Sequence, residues 1–307
     1  MSLQLDKVKH GRTSESGINQ VSVIGSGLMG SGIAQVIAEA GYPVQLIDIS
    51  SERLQLALDN ITNNLERKQK KGKCSKEHAE QTLQRINGSV VLDSVCQTEL
   101  VIEAVPEEMN IKKEIFREVD SRVAENTIIA SNTSGLSIAA LGSVTKQPEK
   151  VIGLHFFYPA PVMKLVEVIP SLITSQATYE SCVSFIYSIG KEPVKCPDYP
   201  GFLVNRILIP MVNEAIYCVM EGSSPEDIDR AMTLGANHKM GPITLADFVG
   251  LDVLLATMEG LYEGYSDSKY RPCPLLKKMV ESGNLGRKTG RGFYIYEKSG
   301  KIIKSAI

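Results

Sequence analysis

The 307-residue sequence has no apolar run long enough to cross a bilayer, so no membrane-spanning segment is expected. It has only four histidines, and its six cysteines include no Cys-x-x-Cys pair, so no metal site is expected either. The net charge of -2 gives no indication of a nucleic-acid partner. The scattered cysteines indicate reduced thiols, which predicts a cytoplasmic protein.

A glycine fingerprint stands near the start of the chain. A strand pattern over residues 20–24 runs directly into Gly-Ser-Gly-Leu-Met-Gly at residues 25–30, and an apolar helical pattern follows. Gly25 allows the turn, Gly27 lets the backbone approach a pyrophosphate, and Gly30 lets helix and strand pack closely. A second strand pattern ends in Asp48, where an acid accepts hydrogen bonds from an adenosine ribose. Together these features predict a site for NAD and not NADP, whereas the glycines alone would also fit an ordinary tight turn.

Strand and helix patterns alternate through the first two thirds of the chain. This predicts an α/β domain over residues 18–200, with a Rossmann-like, doubly wound and mainly parallel sheet. Residues 51–86 are too long and too charged for a simple crossover helix, and indicate an inserted arm of two helices parted near Gly72. Basic residues crowd that junction. Such a run is most often a solvated face, and a clamp for a phosphorylated substrate is the alternative.

The composition changes at Pro-Asp-Tyr-Pro-Gly, residues 197–201, which is typical of a linker. Residues 201–307 are expected to form an all-α C-terminal domain with four helices, of which the third begins after Gly241 and Pro242. Several of these helices are apolar over more than one face. Such helices often bury the surplus face against a second copy, so we expect a homodimer through this domain. Residues 1–17, which lack an apolar periodicity, are expected to be a flexible extension.

The segment over residues 151–169 places one histidine and one glutamate in two apolar runs on either side of a Pro-Ala-Pro break. A strand holding His155, a turn and a returning strand holding Glu167 would bring the two side chains together. A carboxylate beside an imidazole fixes its tautomer and favours its charged form, as a general base near neutral pH requires. A core histidine and a solvated glutamate are an equally good interpretation of this segment alone. Ser134, in a polar turn after a strand, fits either a substrate contact or a turn-shaping role.

These motifs together make the sequence resemble the L-3-hydroxyacyl-CoA dehydrogenase family, and within it the bacterial 3-hydroxybutyryl-CoA dehydrogenases. The resemblance extends from about residue 19 to residue 297, and it rests on residues 23–30, 131–134, 153–157, 165–168, 200–206, 234–238 and 287–294. It implies NAD as cofactor, a short-chain acyl-CoA substrate, and interconversion of (S)-3-hydroxyacyl-CoA and 3-ketoacyl-CoA. It also implies a place in fatty acid and butanoate metabolism.

The resemblance implies roles for the residues that could carry out the chemistry. His155 would be the general acid and base, and Glu167 would orient and polarise it. Ser134 and Asn205 correspond to family positions that contact the reacting part of the substrate. The intact set of four residues favours an active dehydrogenase.

The resemblance also implies which residues bind cofactor and substrate. Asn64 and Lys71 fall near the CoA-contacting positions of the arm, so the resemblance favours the clamp over the solvated face. The positions associated with the cofactor are Gly25, Gly27, Leu28, Met29, Gly30, Asp48, Glu107, Lys112, Ser134, Tyr158 and Lys288.

Two positions depart from the family pattern. The family usually has asparagine, beside the nicotinamide and the histidine, where this chain has Tyr158, and it commonly has proline where this chain has Lys239. The larger tyrosine could narrow the site, change the substrate preference or lower the rate. It leaves two alternatives open: an NAD-dependent dehydrogenase of a free hydroxy acid, and a dinucleotide-binding protein with impaired catalysis. The preferred acyl chain length is also open.

Overall fold

The computed structural model describes residues 16–306, so that most of the predicted N-terminal extension lies outside the described residues. The chain folds into two compact units, with the boundary between Asp198 and Tyr199. No helix within residues 16–306 is both long and apolar enough to cross a membrane. The same residues contain no group of three or more histidine, cysteine or acidic side chains that could hold a metal ion.

The first unit is built on one eight-stranded sheet. Its strands are β1 (Val21–Ile24), β2 (Val44–Ile47), β3 (Ile86–Ser89), β4 (Leu100–Glu103), β5 (Ile128–Ser131), β6 (Val151–Phe156), β7 (Leu165–Pro170) and β8 (Glu192–Lys195). Their spatial order is β3-β2-β1-β4-β5-β6-β7-β8. Neighbouring strands pair in parallel except β6 and β7, which are antiparallel. The predicted Rossmann-like, mainly parallel sheet is confirmed.

Helices connect the strands of this sheet. They are α1 (Leu28–Glu39), α2 (Ser51–Lys70), α3 (Lys76–Gln84), α4 (Met109–Asp120), α5 (Ile138–Gly142) and α6 (Gln176–Ser188), with short 3₁₀ turns at Leu92–Gln97 and Pro148–Lys150. β1, β4, β5 and β6 are buried along their whole length, which is why their sequences are mostly apolar.

The arm consists of α2 and α3, with Gly72 between them. α2 buries Leu54, Ala57, Ile61 and Leu65, which recur at intervals of three and four residues and so lie on one face of the helix. The strand that follows the arm, β3, was not predicted. Only one of its four residues is buried, so it carries no apolar pattern that could mark it as a strand.

The sheet changes direction at β1. The chain passes from β1 to β2 and β3 on one side, and β4 then lies on the other side of β1. Open α/β sheets bind ligands at such a switch point, in the crevice outside the carboxyl ends of the strands. The turns after β1 and β4 are therefore where a dinucleotide is expected.

The second unit is mainly helical. Its elements are α7 (Val204–Met220), α8 (Pro225–Gly235), α9 (Pro242–Val249), α10 (Leu251–Tyr265), α11 (Pro274–Glu281), and the strands β9 (Tyr294–Tyr296) and β10 (Ile302–Ser305), with 3₁₀ turns at Ser268–Tyr270 and Arg287–Thr289. The prediction of a single third helix was wrong. Gly250 adopts φ +103°, a backbone conformation that interrupts a right-handed helix and favours glycine, so that α9 and α10 are separate.

Asp247 on α9 fixes the β9–β10 hairpin. Its carboxylate accepts hydrogen bonds from Phe293 N at 3.0 Å, Tyr294 N at 2.9 Å and the Tyr296 hydroxyl at 2.9 Å. Burial raises the pKa of Asp247, and these hydrogen bonds partly offset that rise. The start of β9 is thus joined to α9, within the core of the second unit.

Candidate active site

The turn between β1 and α1 has the geometry of a dinucleotide-binding loop. Gly25 lies at φ +96°, and a Cβ there would clash with the carbonyl oxygen of Ala104. A Cβ at Gly30 would clash with the carbonyl oxygen of Gly25, so helix and turn pack too closely for any side chain. A Cβ at Gly27 would meet no described atom within 4 Å. Gly27 therefore keeps space open at the N-terminus of α1, where a phosphate can approach the helix amides.

The first residues of α1 also belong to this loop. Leu28 is exposed and Met29 is half-buried, and both stand in the first turn of the helix. The N-cap, Gly27, has no side chain that could accept hydrogen bonds from the amides of that turn. The structure thus brings the predicted glycines and both neighbouring residues to one helix end.

Asp48 stands directly after β2 and is held by Ser26. The backbone N–H and the hydroxyl of Ser26 both donate to Asp48 Oδ2, each at 2.8 Å. The other oxygen, Oδ1, is buried and accepts no hydrogen bond from the described residues. A buried carboxylate oxygen without a donor is costly, and ribose hydroxyls are donors of the right kind. Asp48 and the glycine turn therefore fit NAD. The role of Ser26 was missed, because a serine inside a glycine motif carries no pattern of its own.

His155 and Glu167 are paired by the strand register. β6 and β7 are antiparallel, and His155 lies directly opposite Glu167. Side chains opposite each other in such a pair point to the same face of the sheet. His155 Nδ1 lies 2.7 Å from Glu167 Oε2, and both side chains are buried. The imidazole is thereby held in one orientation by a buried carboxylate, as a general acid and base requires.

Two further contacts fix the end of β6. Asn132 Oδ1, on the turn after β5, accepts a hydrogen bond from Phe156 N at 2.8 Å. The ring of Phe157 stands 4.4 Å from the imidazole of His155, measured between centroids. Asn132 had not been singled out from the sequence, since it joins a strand 24 residues further along the chain.

Tyr158 begins the turn between β6 and β7, and 55% of its surface is exposed. The turn is closed by hydrogen bonds from Val162 N and Met163 N to the carbonyl oxygen of Pro159, at 2.9 and 3.0 Å. Tyr158 follows Phe157 directly and stands three residues after His155 in the chain, and its predicted place in the site stays a prediction.

Lys191 holds the same turn from the other side. Its ammonium donates to the carbonyl oxygens of Ala160 and Met163, at 2.6 Å each. Burial and the positive charge of Lys68 lower the pKa of Lys191, and the carboxylate of Glu39 opposes that shift. Lys191 gives no sequence signal, because a buried lysine that binds backbone carbonyls resembles any surface lysine in a polar loop.

The structure brings Glu107 and Ser134 together. Glu107 Oε1 accepts hydrogen bonds from Ser134 N at 2.7 Å, from Ser134 Oγ at 3.0 Å and from Thr133 Oγ1 at 2.6 Å. Glu107 follows β4 and Ser134 follows β5, so the contact joins the carboxyl ends of two neighbouring strands. Ser134 is thereby held in place beside the switch point of the sheet.

Lys112, predicted to be a cofactor position, lies inside the protein. Its side chain is only 1% exposed, and its ammonium is 2.6 Å from Glu103 Oε1 and 3.3 Å from Glu107 Oε2. Its nearest polar partners are therefore protein carboxylates, and its role as a cofactor position stays a prediction. Glu103 was missed, because the acid that ends an apolar strand pattern gives no indication of its partner.

Asn64 and Lys71 are seven residues apart at the end of α2, which puts them on one face of the arm. Asn64 Nδ2 donates weakly to Gln35 Oε1 at 3.4 Å, and Gln35 Nε2 donates to Glu39 at 2.9 Å. Lys68, on the same part of α2, pairs with Glu39 at 2.7 Å. These bonds fix the arm to α1, while Lys71 is exposed at the end of the helix.

Asn205 and Lys288 belong to the second unit. Asn205 is the second residue of α7, and the Lys288 ammonium contacts both carboxylate oxygens of Asp252, at 2.5 and 2.6 Å. Burial raises the pKa of Asp252, but the hydrogen bond and charge of Lys288 together with backbone hydrogen bonds outweigh it, so the pKa lies below its ordinary value. The predicted roles of Asn205 and Lys288 stay predictions.

Comparison with known families defines the class of protein. The family model described as "3-hydroxyacyl-CoA dehydrogenase, NAD binding domain" matches residues 20–199, and "3-hydroxyacyl-CoA dehydrogenase, C-terminal domain" matches residues 201–296. The chain therefore belongs to the 3-hydroxyacyl-CoA dehydrogenase family. It is an NAD-dependent oxidoreductase, which confirms the predicted cofactor and class of enzyme.

Individual relatives match over almost the whole chain. The 3-hydroxybutyryl-CoA dehydrogenase of Bradyrhizobium diazoefficiens is 48% identical over 280 residues, which cover 91% of this chain and 96% of that protein. The human mitochondrial hydroxyacyl-coenzyme A dehydrogenase is 45% identical over 288 residues, covering 91% and 92%. The crystal structure of (S)-3-hydroxybutyryl-CoA dehydrogenase from Ralstonia eutropha has a TM-score of 0.89 at 46% identity, and covers 92% of this chain and 100% of that chain. The predicted resemblance is confirmed.

Proposed function

We propose that the enzyme interconverts short-chain (S)-3-hydroxyacyl-CoA and 3-ketoacyl-CoA, with 3-hydroxybutyryl-CoA and acetoacetyl-CoA as its preferred pair. The observation that carries this proposal is the 2.7 Å contact between His155 Nδ1 and Glu167 Oε2 at the end of β6. Relatives named for 3-hydroxybutyryl-CoA, with identities of 46% and 48%, support the choice of substrate.

His155 is the proposed general acid and base. In the proposed tautomer Nδ1–H donates a hydrogen bond to Glu167, so the neutral imidazole presents Nε2 as the proton acceptor. In the oxidative direction Nε2 takes the proton of the C3 hydroxyl, and the buried carboxylate of Glu167 stabilises the imidazolium. In the reductive direction His155 returns that proton to the 3-keto oxygen. When bound, NAD⁺ supplies the acceptor for the hydride that leaves C3.

Ser134 and Asn205 are proposed to bind the reacting part of the substrate. The Ser134 backbone and side chain are both bound by Glu107, at 2.7 and 3.0 Å, so the residue is fixed before the substrate arrives. A group that is already in place needs less reorganisation during the reaction. The residues proposed to serve the cofactor are Gly25, Gly27, Leu28, Met29, Gly30, Asp48, Glu107, Lys112, Ser134, Tyr158 and Lys288.

The arm is proposed to bind the CoA part of the substrate. Lys71 is exposed at the end of α2, and Asn64 lies on the same face two helical turns earlier. The lysine supplies a positive charge for the CoA phosphates, and the asparagine supplies an amide for hydrogen bonds.

We further propose a homodimer formed through the second unit. Large apolar side chains remain exposed there, including Ile207 at 71%, Leu234 at 76% and Phe248 at 46%. Exposed apolar side chains of this size favour burial against a second copy. A cytoplasmic location follows the sequence prediction of reduced thiols.

The substrate can be tested by following NADH oxidation with acetoacetyl-CoA, longer 3-ketoacyl-CoA substrates and free 3-keto acids. We expect turnover of acetoacetyl-CoA, with kcat/KM falling as the chain lengthens, and no comparable turnover of the free acids. A preference for a free acid would support the alternative of an NAD-dependent dehydrogenase of a free hydroxy acid, which Tyr158 leaves open. Tight NADH binding without turnover of any substrate would support the second alternative, a protein with impaired catalysis.

A further inference from the structure

Glu103 is a fully buried acid that no step above uses. Its Oε1 accepts hydrogen bonds from Lys112 Nζ at 2.6 Å and from Val105 N at 2.7 Å. Its Oε2 accepts from the Ser131 hydroxyl at 2.7 Å. Burial of an ionised carboxylate is costly unless it is paired and hydrogen-bonded. The contacts of Glu103 meet both conditions.

Lys112 connects Glu103 to a second carboxylate. Its ammonium lies 2.6 Å from Glu103 Oε1 and 3.3 Å from Glu107 Oε2, and donates to the carbonyl oxygen of Val105 at 3.3 Å. Two of these contacts are hydrogen bonds, to Glu103 and to Val105, and the contact with Glu107 is an ion pair. Glu107 is thus paired at Oε2 with Lys112, and its Oε1 accepts hydrogen bonds from Ser134 and Thr133. Hydrogen bonds and ion pairs thus form one connected series: Ser131, Glu103, Lys112, Glu107 and Ser134.

We propose that Glu103 is a positioning residue, which holds Lys112 and thereby Glu107 in the orientation that fixes Ser134 for the substrate. The inference rests on the proposed substrate contact of Ser134. A lysine stem has four flexible carbons, and Glu103 supplies the shortest contact that holds its ammonium in place. Without that contact the ammonium shifts, and Glu107 and Ser134 shift with it. A displacement of about 1 Å at a reacting group can lower the rate about 100-fold.

The simpler explanation is that Glu103 and Lys112 form a structural ion pair with no effect on Ser134. A buried pair is weak evidence of any particular role, so the two explanations need a measurement that separates them. Residue 102 offers the matched control. Ile102 is fully buried on the same strand and, as the neighbour of Glu103, points to the opposite face of the sheet.

The first test is a set of double-mutant cycles read out as kcat with acetoacetyl-CoA and NADH. Glu103→Gln keeps the shape of the side chain and removes its charge, and we expect kcat to fall about 10-fold. The same substitution added to Ser134→Ala, or to Lys112→Met, should lower kcat little further, because Glu103 acts through both residues. Ile102→Ala should lower the unfolding temperature and leave kcat within about twofold of the parent enzyme.

The variant Glu103→Gln with Lys112→Met covers the case in which Glu103→Gln alone does not fold. It leaves no unpaired buried charge, so it should fold, and it should keep the catalytic defect of Lys112→Met. Full additivity of Glu103→Gln with Ser134→Ala, or parental kcat in a folded Glu103→Gln, would overturn the proposal. A structural pair would instead make Glu103→Gln lower the unfolding temperature and leave kcat within about twofold of the parent enzyme, as expected for Ile102→Ala.

The second test does not need catalysis. The Ser134 amide donates to Glu107 Oε1 at 2.7 Å, so its hydrogen exchange reports on that contact. We expect Glu103→Gln to accelerate exchange at Ser134 about 10-fold. The Ala139 amide, bound to Asp198 at 2.8 Å, should exchange at the parental rate. An unchanged rate at Ser134 would contradict the proposal. If the parent enzyme does not turn over acetoacetyl-CoA, the proposed function fails, and this measurement still decides the role of Glu103.

Discussion

Ser26 donates two hydrogen bonds to the same oxygen of Asp48, and the second carboxylate oxygen is left buried without a donor from the described residues. The serine thereby fixes the direction of the carboxylate at the end of β2. We propose that the remaining oxygen, Oδ1, accepts a hydrogen bond from a ribose hydroxyl. A carboxylate fixed in this way also repels the additional phosphate of NADP.

Asp48→Ala should weaken the enzyme's preference for NADH over NADPH. A hydrogen bond to a charged group contributes about 1.5–3 kcal/mol, so we expect the KM for NADH to rise about 10–100-fold. The KM for NADPH should change less or fall, since repulsion of the 2′-phosphate is removed. Steady-state kinetics with acetoacetyl-CoA and each cofactor give the NADH/NADPH ratio, which is kcat/KM for NADH divided by kcat/KM for NADPH. Ser26→Ala removes one of the two hydrogen bonds to Asp48 Oδ2. It should lower the NADH/NADPH ratio too, but less than Asp48→Ala does. An unchanged NADH/NADPH ratio in Asp48→Ala would exclude the carboxylate as the basis of selectivity.

Tyr158→Asn should broaden the range of acyl chains that the enzyme accepts. Tyr158 is 55% exposed, so its replacement should leave the unfolding temperature close to that of the parent. The smaller side chain gives more room, and we expect kcat/KM for longer 3-ketoacyl-CoA substrates to rise about 10-fold relative to acetoacetyl-CoA.

Tyr158→Phe separates ring size from the hydroxyl group. It keeps the ring, so it should keep the parental chain-length profile. If Tyr158→Asn and the parent show the same profile, the tyrosine does not limit the substrate, and its departure from the family pattern has another basis.

Lys71→Glu should weaken binding of the CoA substrate without affecting the chemical step. Interactions between exposed charges contribute at most about 1 kcal/mol, so we expect the KM for acetoacetyl-CoA to rise about 5-fold at low salt while kcat is retained. The difference should shrink as salt screens the charges. Lys146→Glu is the matched control, because it makes the same charge change before β6, outside the arm. Equal effects of the two substitutions on KM would contradict a CoA clamp at Lys71.

Much of this architecture can be predicted from local patterns. Fully buried strands such as β1 and β6 read as apolar runs, and the turn glycines Gly25 and Gly30 stand where the backbone leaves no room for a Cβ. The polar edge strand β3 and the break at Gly250 could not be predicted in this way. β3 lacks an apolar pattern, and a glycine between two helical patterns also fits one continuous helix.

The residues of the candidate site also fall into those that local patterns predict and those that they do not. His155 and Glu167 could be paired from the sequence because one short turn joins their strands, and the register then sets them opposite each other. Ser26, Asn132 and Glu103 gave no comparable signal. Each acts through a partner on another element, such as Asp48 for Ser26, 22 residues away. Local periodicity contains no information about such pairs.

The central claim is that His155 transfers the proton and that Glu167 orients it. Glu167→Gln should lower kcat in the same direction as loss of His155, because the imidazolium loses its buried counter-charge. Added to His155→Gln it should cost little more, since the carboxylate acts through the histidine. NADH binding, followed by the fluorescence of the cofactor, should stay close to the parental value in both variants.

The most direct measurement is kcat for acetoacetyl-CoA reduction by His155→Gln beside the parent enzyme, with NADH binding determined on the same samples. The variant should bind NADH as the parent does, and its kcat should be lower by about 10²–10⁴-fold, the typical contribution of general acid–base catalysis. A folded, NADH-binding variant that turns over acetoacetyl-CoA at the parental rate would contradict the assignment of His155.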